Sequence, residues 1–144
     1  MSRTLRLTMF AGLLALLLAA CGAAPAPAAA PAAAAQVDLA ALPVNIDVKQ
    51  AASLLNNPDV VFVDVREQSE YDAGHIPGVK LIPLGSVPDR MSEIPKDKTV
   101  VAVCRSGNRS SQATEFLRQQ GYTNVHNMTG GMNDWAQAGN PVEQ

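Results

Sequence analysis

Apolar positions along the chain fall into short unbroken runs separated by stretches of helical spacing. Val60-Val61-Phe62-Val63 and Thr99-Val100-Val101-Ala102-Val103 are continuous and rich in β-branched residues. Continuous rather than alternating apolarity predicts strands covered on both faces, as in a parallel sheet. Weaker runs at 44–46, 79–84 and 122–128 predict three more strands. Asp47 can cap a helix whose apolar side carries Ala51, Ala52, Leu54 and Leu55, with Gln50 placed for a capping box. A short helix is predicted over 67–73, stopped by Gly74, and a weak one over 86–93, with Pro88 near its start and Pro95 beyond its end. Ala113, Phe116 and Leu117 share one face of a helix over 110–120 that stops at Gly121. After Gly130-Gly131 a last helix runs over 132–138 to Gly139. Strands alternate with helices, so the pattern predicts an α/β fold: a mainly parallel central sheet flanked by helices on both faces.

The pattern changes before residue 37. Arg3 and Arg6 precede an apolar stretch over 7–20. It is shorter than the roughly 20 residues a bilayer requires and suits the apolar region of a secretory signal. Residues 22–36 are almost entirely alanine and proline, with no large apolar side chain to offset the entropy of ordering. Pro25, Pro27 and Pro31 oppose a continuous helix, which predicts an extended tether. The expected organisation is a signal peptide over 1–20, Cys21 and a tether over 21–36, and one folded domain over 37–144. Leu18-Ala19-Ala20-Cys21-Gly22 resembles the lipobox of bacterial lipoproteins. That resemblance implies cleavage before Cys21 and its lipidation. The protein would then be exported and held by lipid in the cell envelope, on the outer face of the cytoplasmic membrane or on the outer membrane.

Charge narrows the partners. The whole chain carries a formal net charge of −2, and removing Arg3 and Arg6 leaves nine basic against thirteen acidic residues, or −4. This gives no support to nucleic-acid binding or to a polybasic membrane patch. With Cys21 lipidated, Cys104 is the only free thiol, so no internal disulfide can form. A lone unpaired thiol in an exported protein points to reactivity.

The chemistry converges on Cys104-Arg105-Ser106-Gly107-Asn108-Arg109, a six-residue loop between the 99–103 strand and the following helix. Open α/β sheets place their ligands at the carboxyl ends of strands. Backbone N–H groups at a helix start lack intrahelical partners and, with the helix dipole, favour anions. A thiol placed there loses its proton more easily. Arg105 and Arg109 add permanent positive charge. The expectation is a nucleophilic Cys104 beside a pocket for a small anion, served by Arg105, Ser106, Gly107, Asn108 and Arg109.

Three motifs together resemble the single-domain rhodanese family over roughly residues 44–142. They are Asp64-Val65-Arg66-Glu67 with Glu70-Tyr71-Asp72-Ala73-Gly74-His75-Ile76-Pro77-Gly78-Val79, the Cys104 loop, and Gly130-Gly131-Met132-Asn133-Asp134-Trp135 with Gly139-Asn140-Pro141-Val142. The resemblance implies a rhodanese-like fold and sulfurtransferase activity. Cys104 would attack the outer sulfur of thiosulfate or another sulfane donor, become a persulfide, and pass the sulfur to cyanide or a thiol. It implies no metal and no organic cofactor. It makes His75 structural, Asp64 a support for the loop or for Arg66, and Trp135 a packing residue. His126, in an expected strand, reads as core or surface.

Two other classes stand beside this one. A rhodanese-like binding or sulfur-carrier module with little turnover is the first, and the presence of Cys104 weighs against it. A cysteine-dependent phosphatase or arsenate reductase is the second. Those enzymes use a Cys-x5-Arg loop, whereas here Ser110 stands six residues after Cys104 and Arg109 five, and the shorter loop favours sulfur over phosphate.

Overall fold

The strand β4 (Thr99–Val103) is buried at every residue and occupies the middle of a five-stranded sheet, in the order β1-β5-β4-β2-β3. The computed structural model describes residues 37–144; the signal-like segment, Cys21 and the alanine-proline tether lie outside them. The other strands are β1 (Asn45–Ile46), β2 (Val60–Asp64), β3 (Lys80–Leu81) and β5 (Val125–Met128). All the ladders among the described residues are parallel. The α-helices are α1 (Val48–Ser53), α2 (Gln68–Asp72), α3 (Val87–Arg90), α4 (Asn108–Gln119) and α5 (Gly131–Gln137).

The apolar continuity of β4 serves two cores at once. Val101 and Val103 point into a layer with Phe62, Met128 and Trp135, closed by Val48, Ala51 and Leu54 of the α1 region. Val100 and Cys104 point the opposite way, among Val63, Val87, Ala113 and Leu117. Successive residues of a strand face opposite sides, so a strand buried on both has no polar position to spare. Helices therefore cover both faces, α1 and α5 on one and α3 and α4 on the other.

The capping box at α1 forms in both directions: the Asp47 carboxylate accepts from Gln50 N at 2.7 Å, and Asp47 N donates to the Gln50 side chain at 3.1 Å. Two strands are shorter than their apolar runs. Over 79–84 the ladder itself is Lys80–Leu81; Ile82 N and Leu84 N still donate to Asp64 O and Val65 O at 2.9 and 3.1 Å, but Pro83 between them has no N–H to give and Leu84 opens a 3-10 turn. Over 122–128 pairing starts at Val125, because Gly121 turns the chain at φ 87° and Tyr122 N closes the end of α4 on Leu117 O at 3.0 Å. The weak 86–93 helix is the single turn of α3 with 3-10 turns on either side.

Candidate active site

Cys104 follows the last residue of β4 at the carboxyl end of the sheet. The loop is tighter than its six residues suggest, because α4 already begins at Asn108. Asn108 and Arg109 therefore form the first helical turn, leaving Cys104 to Gly107 as the connection. Gly107 takes a left-handed conformation at φ 97°, and a Cβ there would stand 3.2 Å from Gly130 N and 3.3 Å from Thr129 Cα. Glycine allows both the turn and the close approach.

The start of α5 aims this loop. Met132 N donates to Cys104 O at 2.8 Å, and Asn133 N donates to Arg105 O at 3.0 Å. These first-turn N–H groups have no partner within their own helix. The Arg105 carbonyl and the Ser106 N–H belong to one planar peptide, so holding the carbonyl toward α5 turns the N–H the other way. Gly107 N donates to the Cys104 sulfur, and the N–H groups of Ser106 and Ser110 add to the pull on its charge. Gly107 N lies 3.1 Å from Sγ and the Ser110 hydroxyl 3.3 Å. Contact between α5 and the loop requires Gly131: a Cβ there would strike Cys104 O and stand 2.6 Å from the Arg105 carbonyl carbon.

The sulfur is enclosed, with Cys104 only 1% exposed. Burial alone would push its thiol up. The Ser110 hydroxyl and the N–H groups of Ser110, Ser106 and Gly107 outweigh that, and hold it below the ordinary thiol value. Hydrogen bonds from the backbone and a hydroxyl, rather than bare arginine charge, carry the effect.

The two arginines part company. Arg105 is exposed and enters no ion pair among the described residues. Arg109, expected to face the anionic donor, instead grips Glu70 of α2 with two hydrogen bonds of 2.7 Å. The Glu70 carboxyl is held down to about 2, chiefly by those bonds. A hollow of about 220 Å³ at this mouth is lined by Arg66, Glu70, Ala73, Arg105, Met132 and Asn133. A larger one, about 660 Å³, lies against Asp47, Lys49, Thr129 and Asp134, and Cys104 does not line it.

Behind the sulfur runs a polar chain that sequence reading missed. Ser110 Oγ lies 2.6 Å from Asn127 Oδ1, and Asn127 Nδ2 donates to Asn45 Oδ1 at 2.9 Å. Ser110 and Asn127 are both buried. The available signal was a polar residue at a core position: Ser110 shares the inward face of α4 with Ala113 and Leu117, and Asn127 stands inside a buried strand.

The family model described as rhodanese-like domain matches residues 47–138. The chain belongs to the rhodanese-like family. It is 48% identical over 89 residues to a sulfurtransferase of Allochromatium vinosum, covering 62% of this chain and 83% of that protein. It is 35% identical over 94 residues to a thiosulfate sulfurtransferase of Pseudoalteromonas translucida, covering 65% and 90%. The crystal structure of a rhodanese-related protein from Thermoplasma volcanium superposes with a TM-score of 0.64 at 30% identity, over 69% of this chain and 96% of that one.

The other residues singled out in the sequence brace the domain. His75 stacks on Tyr71 with ring centroids 3.7 Å apart, and its Nε2 lies 3.4 Å from a Glu143 carboxylate oxygen. Asp64 binds Arg66 in a buried pair, Trp135 is fully buried with Nε1 donating to Pro141 O at 2.8 Å, and His126 Nδ1 meets Pro43 O at 2.7 Å. Among the described residues, no three His, Cys, Asp or Glu side chains converge on a point that could hold a metal ion.

Proposed function

We propose that this rhodanese-like protein is a sulfurtransferase that carries a sulfane sulfur as a persulfide on Cys104. The observation that carries the reading is the cradle: a buried sulfur facing Gly107 N at 3.1 Å and the Ser110 hydroxyl at 3.3 Å, with its thiol held below the ordinary range. The Cys104 thiolate attacks the outer sulfur of thiosulfate. The donor's S–S bond breaks, and sulfite leaves with the electron pair. The new terminal sulfur bears the charge and meets the loop N–H donors. A thiolate or cyanide then attacks that terminal sulfur, and the pair from the broken S–S bond returns to Cys104. This is covalent catalysis in two displacement steps. The exposed guanidinium of Arg105 attracts the anionic donor, Ser106 and Gly107 supply backbone N–H groups, and Asn108 with Arg109 starts the helix that orients them. Glu70 compensates the charge of Arg109, which leaves Arg105 as the principal cation for the donor.

The full-length protein is treated with excess thiosulfate, freed of donor and weighed intact. One added sulfur atom, about 32 Da, that disappears on adding cyanide and never forms in Cys104→Ser is the expected result. A reduced, free Cys104 that takes no sulfur from thiosulfate or from a persulfide donor would overturn the reading. The same protein carries a lipid on Cys21 and is exported, on the resemblance of residues 18–22 to a lipobox. Labelled palmitate should appear in the wild type and be absent from Cys21→Ser, which should also leave the membrane fraction.

A further inference from the structure

The chain Cys104–Ser110–Asn127–Asn45 contains a conflict over one proton. A serine hydroxyl has a single hydrogen to donate and two lone pairs to offer. Asn127 Nδ2 is committed to Asn45 Oδ1 at 2.9 Å, so Asn127 turns its carbonyl oxygen toward Ser110. A carbonyl oxygen only accepts. At 2.6 Å from Oδ1, the Ser110 hydroxyl must therefore donate to Asn127. What it then presents to Cys104 Sγ, at 3.3 Å, is a lone pair.

That suits the thiol and not the thiolate. With its proton present, Cys104 donates to Ser110, Ser110 donates to Asn127, and every group is paired. When Cys104 loses its proton to water, Sγ becomes an acceptor alone. Two acceptors, Asn127 Oδ1 and the sulfur anion, now face one hydroxyl hydrogen. The bond to the charged sulfur is the stronger, so the hydroxyl turns to it. Asn127, only 4% exposed, is then left with a carbonyl that water does not reach freely. A buried acceptor without its donor is costly. The amide of Asn127 thus opposes ionisation, while the loop N–H groups favour it.

We propose that Asn127, oriented by Asn45, is a positioning residue that holds the Ser110 proton while Cys104 is a thiol and releases it to the sulfur when the thiolate forms. The proposal rests on the sulfurtransferase reading for its consequence but not for its test. An attacking thiol works best when its pKa lies near ambient pH, since nucleophilicity declines as pKa declines. Asn127 keeps a thiol in an anion-favouring loop from being driven far below that optimum. The charged groups near the Cys104 loop are Arg105 and Arg109 on its own segment, Glu70 of α2 and its N-cap Glu67, which act on Arg109, and the pair of Asp64, the last residue of β2, with Arg66. None of them is altered in the variants below, apart from a charge introduced on purpose.

The test is the pH dependence of Cys104 alkylation by iodoacetamide in the full chain, read on the Cys104 peptide by mass spectrometry. Asn127→Val removes the competing acceptor, so the midpoint should move down by about one pH unit, the scale of one hydrogen bond to an ionised group. Asn127→Asp installs a stronger, charged acceptor and should move it up. Ser110→Ala should also move it up, and in that background Asn127→Val should have no further effect. Shifts of the same sign in the Val and Asp variants would overturn the proposal, as would a Val effect that persists without Ser110. If Asn127→Val does not fold, the exposed Asn45 carries the test. Asn45→Ala lets the amide turn over and donate to Ser110, which frees the hydroxyl for the sulfur and lowers the midpoint; an unchanged midpoint overturns the proposal. Loss of sulfur transfer with these shifts intact would count against the enzyme reading alone.

Discussion

Two neighbouring strands end side by side, and they end differently. Asp64 of β2 and Val103 of β4 are register partners, so the next residues of both chains emerge at one edge of the sheet. After β2 the chain closes on itself. Arg66 donates from Nε and Nη2 to the Asp64 carboxylate, and from Nη2 to Gly74 O at 2.9 Å, while Arg66 N also reaches Asp64 Oδ1 at 3.0 Å. Asp64 is 0% and Arg66 5% exposed. After β4 the chain gathers donors around a sulfur, from the Gly107 N–H and the Ser110 hydroxyl. Position in the fold is the same, yet one end is a strut and the other the candidate site. What separates them is whether a charge is neutralised by its own neighbour or is left to be met by something from outside.

Breaking the strut should give the largest effect. Asp64→Ala leaves the Arg66 charge buried without a partner, and should cost about 3–5 kcal/mol in urea unfolding. Removing both charges in Asp64→Leu with Arg66→Met should cost much less than either single change, because nothing charged is then stranded. If the double variant is as unstable as the singles, the pair does more than neutralise itself. Gly131→Ala attacks the other end. Its methyl group would displace the Cys104 and Arg105 carbonyls, and about a hundred-fold loss of sulfur transfer is expected, with the fold retained by circular dichroism.

The smallest effect belongs to the pair that lies between strut and site. The Arg109–Glu70 contact is about 30% exposed on each side chain, so Glu70→Gln should change stability by less than about 1 kcal/mol. It frees a second guanidinium at the mouth, and KM for thiosulfate should fall a few-fold. The sign in acid follows from the carboxyl. Its folded value of about 2 lies below the unfolded value near 4.3, so the pair contributes fully above the unfolded value and is lost as pH falls through about 2. Carbon-detected NMR should find Glu70 titrating near 2 in the wild type and close to the ordinary value in Arg109→Ala.

The scaffold was legible because its signals are local. Unbroken apolarity marks β2 and β4 as doubly covered, and Asp47 with Gln50 marks the start of α1. Cys104 was legible for the same reason, being framed by a strand before it and a helix after. The rest depends on meetings across the chain. Glu70 takes Arg109 from a distance of 39 residues, and Asn127 reaches Ser110 from 17 and Asn45 from 82. No periodicity reports such pairings. Strand ends at Lys80–Leu81 and Val125 were blurred because the apolar residues outside them pack in turns rather than in ladders.

The sheet order also constrains how the molecule comes into being. Among the described residues β1 is made first of the strands, yet its ladder partner is β5, the last of them. A chain leaving the ribosome can assemble β2, β3 and β4 while Asn45 and Ile46 wait at an open seam. The seam closes only when residues 125–128 have emerged, and that closure brings Asn45 to Asn127 and α5 to the Cys104 loop. Until then Cys104 and Arg105 lack the α5 N–H groups that hold their carbonyls, and Asn127 lacks its partner Asn45. The loop around Cys104 can therefore be held in place only after residues 131–133 have been made, well after the cysteine itself.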